Sequence, residues 1–167
     1  MRGVCAELGT DYEHEDLPMA KVTPFLMFND QLDAAIAFCT ATFPDSSVKI
    51  VARTGTDGPI TSAEFVVGGQ SFMGDNGGAY FSFSEGVSLY VDCDDQAEVD
   101  MYWDKLVQAG ATPTACGGIK DPFGLSWQIV PRRFMELIRD QNPKKVKAMM
   151  EMVKLDVAAI ESAYNQA

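Results

Sequence analysis

The chain states one pattern twice, and that repetition constrains its fold more than any other feature. "VTPFLMFND" (22–30) runs apolar and ends in an amide and an acid, and "QLDAAIAFCTATF" (31–43) follows it. "VSLYVDCDD" (87–95) is followed in the same way by "QAEVDMYWDKLVQAG" (96–110). One constant offset lays Asp30 on Asp95 and Phe38 on Trp103. The first piece of each copy reads as a strand. The second has helical spacing: Leu32, Ala35, Ile36, Cys39 and Phe43 make one stripe, Val99, Trp103, Leu106 and Gly110 the other. Asp30 and Asp95 stand at N-cap positions, and Glu98 completes a capping box with Asp95. Pro44 and Gly110 mark the helix ends.

Strand-like pieces follow each helix, at 47–53, 61–67 and 70–75 in the first copy and at 111–116 and 124–130 in the second. Turn-rich spacers "TGTDGP", "GG" and "DNGG" separate the first set. Strand, helix, strands, then the same again, predicts an α+β protein of two similar modules whose sheets pack edge to edge. A ferredoxin-like arrangement uses the same units and competes with that reading. Residues 132–167 read as C-terminal helices, with Asn142 and Pro143 as a cap pair. Their Met-rich stripe (Val146, Met149, Met150, Val153) suits packing on the domain or on a partner subunit. Residues 1–20 hold five acids and one base, and read as an acidic flexible leader before a domain spanning 21–131.

The net charge of −11 argues against nucleic acid as a partner, since a surface that binds its phosphates needs a basic field. No apolar run approaches the roughly 20 residues that span a bilayer, and the leader lacks the pattern of a secretory signal. Cys5, Cys39, Cys93 and Cys116 are too scattered for a zinc knuckle or a redox pair. Free thiols in a reducing cytoplasm are expected. The single histidine, His14, lies in the leader, away from any serine or cysteine nucleophile of the domain.

Alternation splits each strand into two faces. Val87, Leu89, Val91 and Cys93 go beneath the helices with Val22, Leu26 and Phe28, and Leu125, Trp127 and Ile129 join them. The opposite face carries Thr23, Phe25 and Met27, then Ser88, Tyr90 and Asp92, then Ser126, Gln128 and Val130. Apolar walls with a few polar groups are the usual lining of a small-molecule cleft. An open sheet face seldom gathers groups such as Phe25, Met27 and Tyr90. Asp121, before Pro122, is expected to serve an Asx-type turn. Glu64 and Asp92 would be the acid and base if the cleft were catalytic.

The segments "TPFLMFND", "FPDS", "GGQSFMGDNGG", "SLYVDCDDQAEVD", "GGIKDPFGLSWQIVP" and "AMMEMVKLDVAAIESAY" resemble the PhnB-like (3-demethylubiquinone-9 3-methyltransferase-like) family. That family belongs to the vicinal oxygen chelate, or glyoxalase/bleomycin resistance, superfamily, and the resemblance runs from about residue 21 to the end. It implies two βαβββ modules, a concave mixed sheet and a homodimer. The positions that hold metal in metal-using members fall on Thr23, Ser88, Gln128 and Met73. Two hydroxyls, an amide and a thioether are a poor set for a divalent ion, so no metal is expected. The glycines sit in hairpin turns rather than opening a helix after a parallel strand, so methyl transfer from a nucleotide-type donor is not expected to carry over, and no cofactor is implied. The expectation is a metal-free small-molecule binding protein with ligand contacts from Thr23, Phe25, Met73, Ser88, Tyr90, Asp92 and Gln128. The alternatives are a metal-independent isomerase- or lyase-like enzyme, or a structural homodimer with a self-filled cleft.

Overall fold

The computed structural model describes residues 21–137, 139 and 143–165; Cys5 and His14 lie outside them. The first module runs β1 (Phe25–Phe28), α1 (Leu32–Thr42), β2 (Ser47–Arg53), β3 (Ile60–Val67) and β4 (Gln70–Asn76). The second runs β5 (Ser88–Cys93), α2 (Gln96–Gln108), β6 (Thr112–Pro113), β7 (Gly118–Lys120) and β8 (Ser126–Pro131). The sheet orders are β1-β4-β3-β2 and β5-β8-β7-β6, so both copies close alike. The first strand of each lies parallel to the last, and the other pairs are antiparallel. Strand β7 was not expected: three residues inside a glycine-rich turn give no periodicity to read. The piece at 111–116 shrinks accordingly to the two residues of β6.

The two helices start differently. At α2, Asp95 Oδ1 accepts from the Glu98 amide at 2.9 Å, and Glu98 Oε2 accepts from the Asp94 amide at 2.6 Å. That is the expected box, with its return bond moved one residue toward the N-terminus. At α1, Asp30 does not cap. The N-cap is Gln31, without a side-chain bond, and the Leu32 amide donates instead to Asn76 Oδ1 at 3.1 Å. Asn76 Nδ2 donates onward to the Ile60 carbonyl at 2.8 Å, so one amide at the end of β4 ties helix start to sheet.

The modules share a core through their inner faces, and no strand pairs across them among the described residues. This replaces the edge-to-edge packing that the repeat suggested. Phe43, at the end of α1, stacks on Trp127 of β8 at 4.7 Å and lies 5.1 Å from Tyr102 of α2. Phe38 meets Phe123 edge-on at 5.7 Å. Leu26, Phe28, Phe65 and Phe72 from one sheet and Leu89 and Trp127 from the other line the same apolar seam. Val22 and Val87, expected in the core, precede the first strand of each module and are 85% and 65% exposed.

The turn "DPFG" is organised by Asp121, only 6% exposed. Its Oδ1 accepts from the amides of Phe123 and Leu125, each at 2.9 Å, and its Oδ2 from Trp127 Nε1 at 3.0 Å. Burial pushes this carboxyl's pKa up, and the same donors pull it back only in part.

The C-terminal helices α3 (Arg132–Leu137), α4 (Pro143–Met150) and α5 (Val157–Asn165) pack on the second module. Val130, Phe134, Leu137, Leu155 and Ile160 form a second small core. Between α4 and α5 the chain clasps the module. The Cys116 and Gly117 amides donate to the carbonyls of Met152 and Val153 at 2.8 and 2.7 Å. Gln96 donates to the Leu155 carbonyl and accepts from the Val157 amide, both at 3.0 Å. Leu155 is fully buried against Gly117, where φ is +76° and a Cβ would strike the leucine.

Candidate ligand-binding site

Each sheet turns one face to the shared core and leaves the other outside it. The register fixes what each presents. On the first sheet Phe25 stands opposite Met73, Met73 opposite Glu64, and Glu64 opposite Lys49. The next row on that face is Met27, Asp75 and Ser62. On the second sheet Tyr90 stands opposite Gln128, with Ser88 opposite Ser126 and Asp92 opposite Val130. The repeat is therefore kept in the rows: Phe25 with Met73 in one module matches Tyr90 with Gln128 in the other.

The seven expected site residues fall into two groups. Phe25, 48% exposed, and half-buried Met73 share a row, with half-buried Thr23 just before the strand. Ser88, Asp92 and Tyr90, the last 51% exposed, lie on one face of β5 beside Gln128. The first group lies on the sheet of the first module and the second on that of the second module. Val130 leaves the open face altogether, since the C-terminal helices cover it. A groove of about 500 Å³ follows β5, where Pro24, Phe43 and Phe72 meet Ser88, Tyr90 and Asp92. It therefore touches three of the seven.

Charges on these faces are mostly answered locally. Asp92 Oδ2 accepts from Arg132 Nε at 3.0 Å, and Arg132 also meets Asp94 at 2.7 Å. The carboxylates raise the pKa of the Arg132 guanidinium in return, the hydrogen bond it donates to Asp92 most of all. Burial, then Asp92, raises the pKa of the Tyr90 phenol. Glu64 pairs with Lys49 at 3.6 Å. Glu64 and Asp92 sit on different sheets, each beside its own cation, so the arrangement does not make them an acid–base couple. The Cys39 and Cys93 thiols are pushed up to about 12 by burial first and then by nearby carboxylates. They are inert as nucleophiles at neutral pH. The Cys116 thiol donates to the Met149 carbonyl at 3.7 Å, under the C-terminal clasp.

One carboxylate differs. Asp75 Oδ1 is buried without a hydrogen-bond partner. Sequence reading passed over it because a strand acid next to a turn reads as solvated. The signal was its place two residues after Met73, which puts both on one face.

The residues do not fit a divalent ion. Thr23, Ser88, Met73 and Gln128 offer no carboxylate or imidazole, and the described residues hold no group of three His, Cys, Asp or Glu suited to one. Nor do they fit a nucleotide-type methyl donor. Gly68 and Gly69, both with positive φ, turn the β3–β4 hairpin, and α1 and α2 are entered through "NDQ" and "DD" without glycine. No helix of the described residues is long and apolar enough to cross a membrane.

Residues 20–130 match the family described as 3-demethylubiquinone-9 3-methyltransferase. The match stops before the C-terminal helices, although the sequence resemblance had been drawn through them. Among solved structures, the PhnB protein of Bacillus cereus is 30% identical, with a TM-score of 0.58, covering 65% of this chain and 97% of that one. Protein PA1353 of Pseudomonas aeruginosa is 20% identical, with a TM-score of 0.52, covering 65% of this chain and 94% of that one. The fosfomycin resistance protein FosX of Listeria monocytogenes, solved with Mn(II) and sulfate, is 14% identical at a TM-score of 0.47, covering 65% and 89%. Among curated proteins nothing matches.

Proposed function

The chain belongs to the 3-demethylubiquinone-9 3-methyltransferase, or PhnB-like, family, and from that premise we propose that it is a metal-free small-molecule binding protein whose cleft is closed between two copies. One observation carries the reading: the matched pairs Phe25–Met73 and Tyr90–Gln128 lie on two separate sheets, each with a large apolar group in the open. Two chains related by a two-fold axis would lay the first face of one over the second face of the other, twice. Such isologous pairing closes both clefts with one operation. The cleft would take a ligand with an apolar or aromatic body, held by Phe25 and Met73, and a hydrogen-bonding end reaching Thr23, Ser88, Tyr90, Asp92 or Gln128.

An isomerase- or lyase-like activity through Glu64 and Asp92 is the weaker reading, because both carboxylates are neutralised by cations. The family's methyltransferase name is not carried over, for the lack of a glycine-rich loop opening a helix. The acidic charge supports a protein that does not meet nucleic acid, and we place it in the cytoplasm as part of the same proposal.

Sedimentation with a thermal-shift screen of a metabolite library tests this. A dimer whose melting temperature rises with a compound, and falls back in F25A and Q128A, supports it. A monomer, or a dimer that no compound stabilises, sinks it, the latter in favour of a cleft filled by its own side chains.

A further inference from the structure

We propose that Asp75 anchors a protonated amine of the ligand in this cleft; the inference rests on the outer face of the first sheet being a binding surface. The carboxylates on the two faces are otherwise accounted for. Glu64 has Lys49 at 3.6 Å, and Asp92 has Arg132 at 3.0 Å. Asp121, deep in the core, has three donors. Asp75 Oδ1 is buried and has none. A buried carboxylate oxygen without a donor is expensive and needs an explanation, of which a partner that binds there is one.

The neighbours of Asp75 say what that partner is. Across the sheet it faces Met27 on one side and Ser62 on the other, and Met73 precedes it on the same face. Phe25 completes the patch through its row with Met73. Met27 is closed in by Gly77 and Phe81, and a Cβ at Gly77 would collide with both. A carboxylate set among thioethers and aromatic rings favours an ammonium group, which gains a charge-assisted bond from Asp75 and polarisable surface from the rest. A carboxylate or phosphate ligand would meet an unscreened like charge there.

Three probes of one size separate the outcomes: benzylammonium, benzyl alcohol and benzoate, followed through the methyl signals of Met27 and Met73 in the full chain. The expected result is that benzylammonium binds at least tenfold more tightly than benzyl alcohol, that benzoate does not bind, and that D75N removes the preference while leaving benzyl alcohol unchanged. The ligand-free D75N protein should unfold at equal or higher urea. Equal binding of amine and alcohol by the wild type, or a preference that survives D75N, overturns the anchor and leaves the binding face standing. Silence of both methyl groups toward all three probes removes the face and the anchor together. A D75N protein that unfolds at clearly lower urea makes Asp75 a structural residue and also overturns the proposal.

Discussion

Trp127 and Asp121 are joined inside the core, indole Nε1 to Oδ2, at 3.0 Å. The same ring stacks on Phe43 from the other module. One carboxylate thus fixes a turn, a strand and the aromatic contact between the repeats. D121A leaves three buried donors unpaired and should cost about 2–4 kcal/mol of stability, read by urea unfolding. A loss below 1 kcal/mol would contradict this account of the turn.

The pH dependence of that site has a definite sign. Burial holds the Asp121 carboxyl above its ordinary range. The folded protein therefore favours the protonated form. Its contribution is complete below the unfolded pKa and declines as pH rises through the folded one. The stability gap between wild type and D121N should narrow as pH rises through the raised pKa of the folded protein. A gap that widens over the same range would contradict the shift.

Helix α1 borrows its cap from Asn76, 44 residues away. N76A loses that bond and the one to the Ile60 carbonyl. D95A loses only a local cap. The expected costs are about 2–3 kcal/mol for N76A against about 1 kcal/mol for D95A, measured by thermal or urea unfolding. Equal costs would show that the long-range bond adds nothing.

The C-terminal clasp should govern access to one thiol. L155A empties a fully buried site and should cost about 2–5 kcal/mol. G117A places a Cβ into Leu155 at a left-handed position and should open the same contact. In both variants peptide mapping after alkylation should show faster labelling of Cys116, with Cys39 and Cys93 silent. Unchanged Cys116 labelling would mean that the clasp does not cover it.

The Lys49–Glu64 pair is more than half exposed on the lysine side. K49M should change stability by no more than about 1 kcal/mol. A larger loss would show that Glu64 depends on its partner far more than a surface carboxylate does.

Much of this architecture could be read along the chain. The alternation of β5 and β8, the stripes of α1 and α2 and the box at Asp95 are local patterns, and each was visible. What escaped was non-local. The Asn76 cap depends on a parallel strand pairing that no neighbouring residue announces. The shared core of the two modules includes Phe43 reaching across to Trp127, a contact between distant residues. Asp75 looked solvated because nothing in "MGDN" reveals that one of its oxygens is covered. Strand β7 was lost to its glycine.

The separate faces carry a consequence for genetics as much as for binding. If a cleft needs the first face of one chain and the second face of its neighbour, mutants defective on different faces should complement each other. In a mixed dimer of F25A and Q128A chains, one cleft inherits both defects and the other inherits neither. Co-expressing two inactive alleles would then restore ligand uptake to one cleft in each hybrid molecule, which a self-contained cleft could never do.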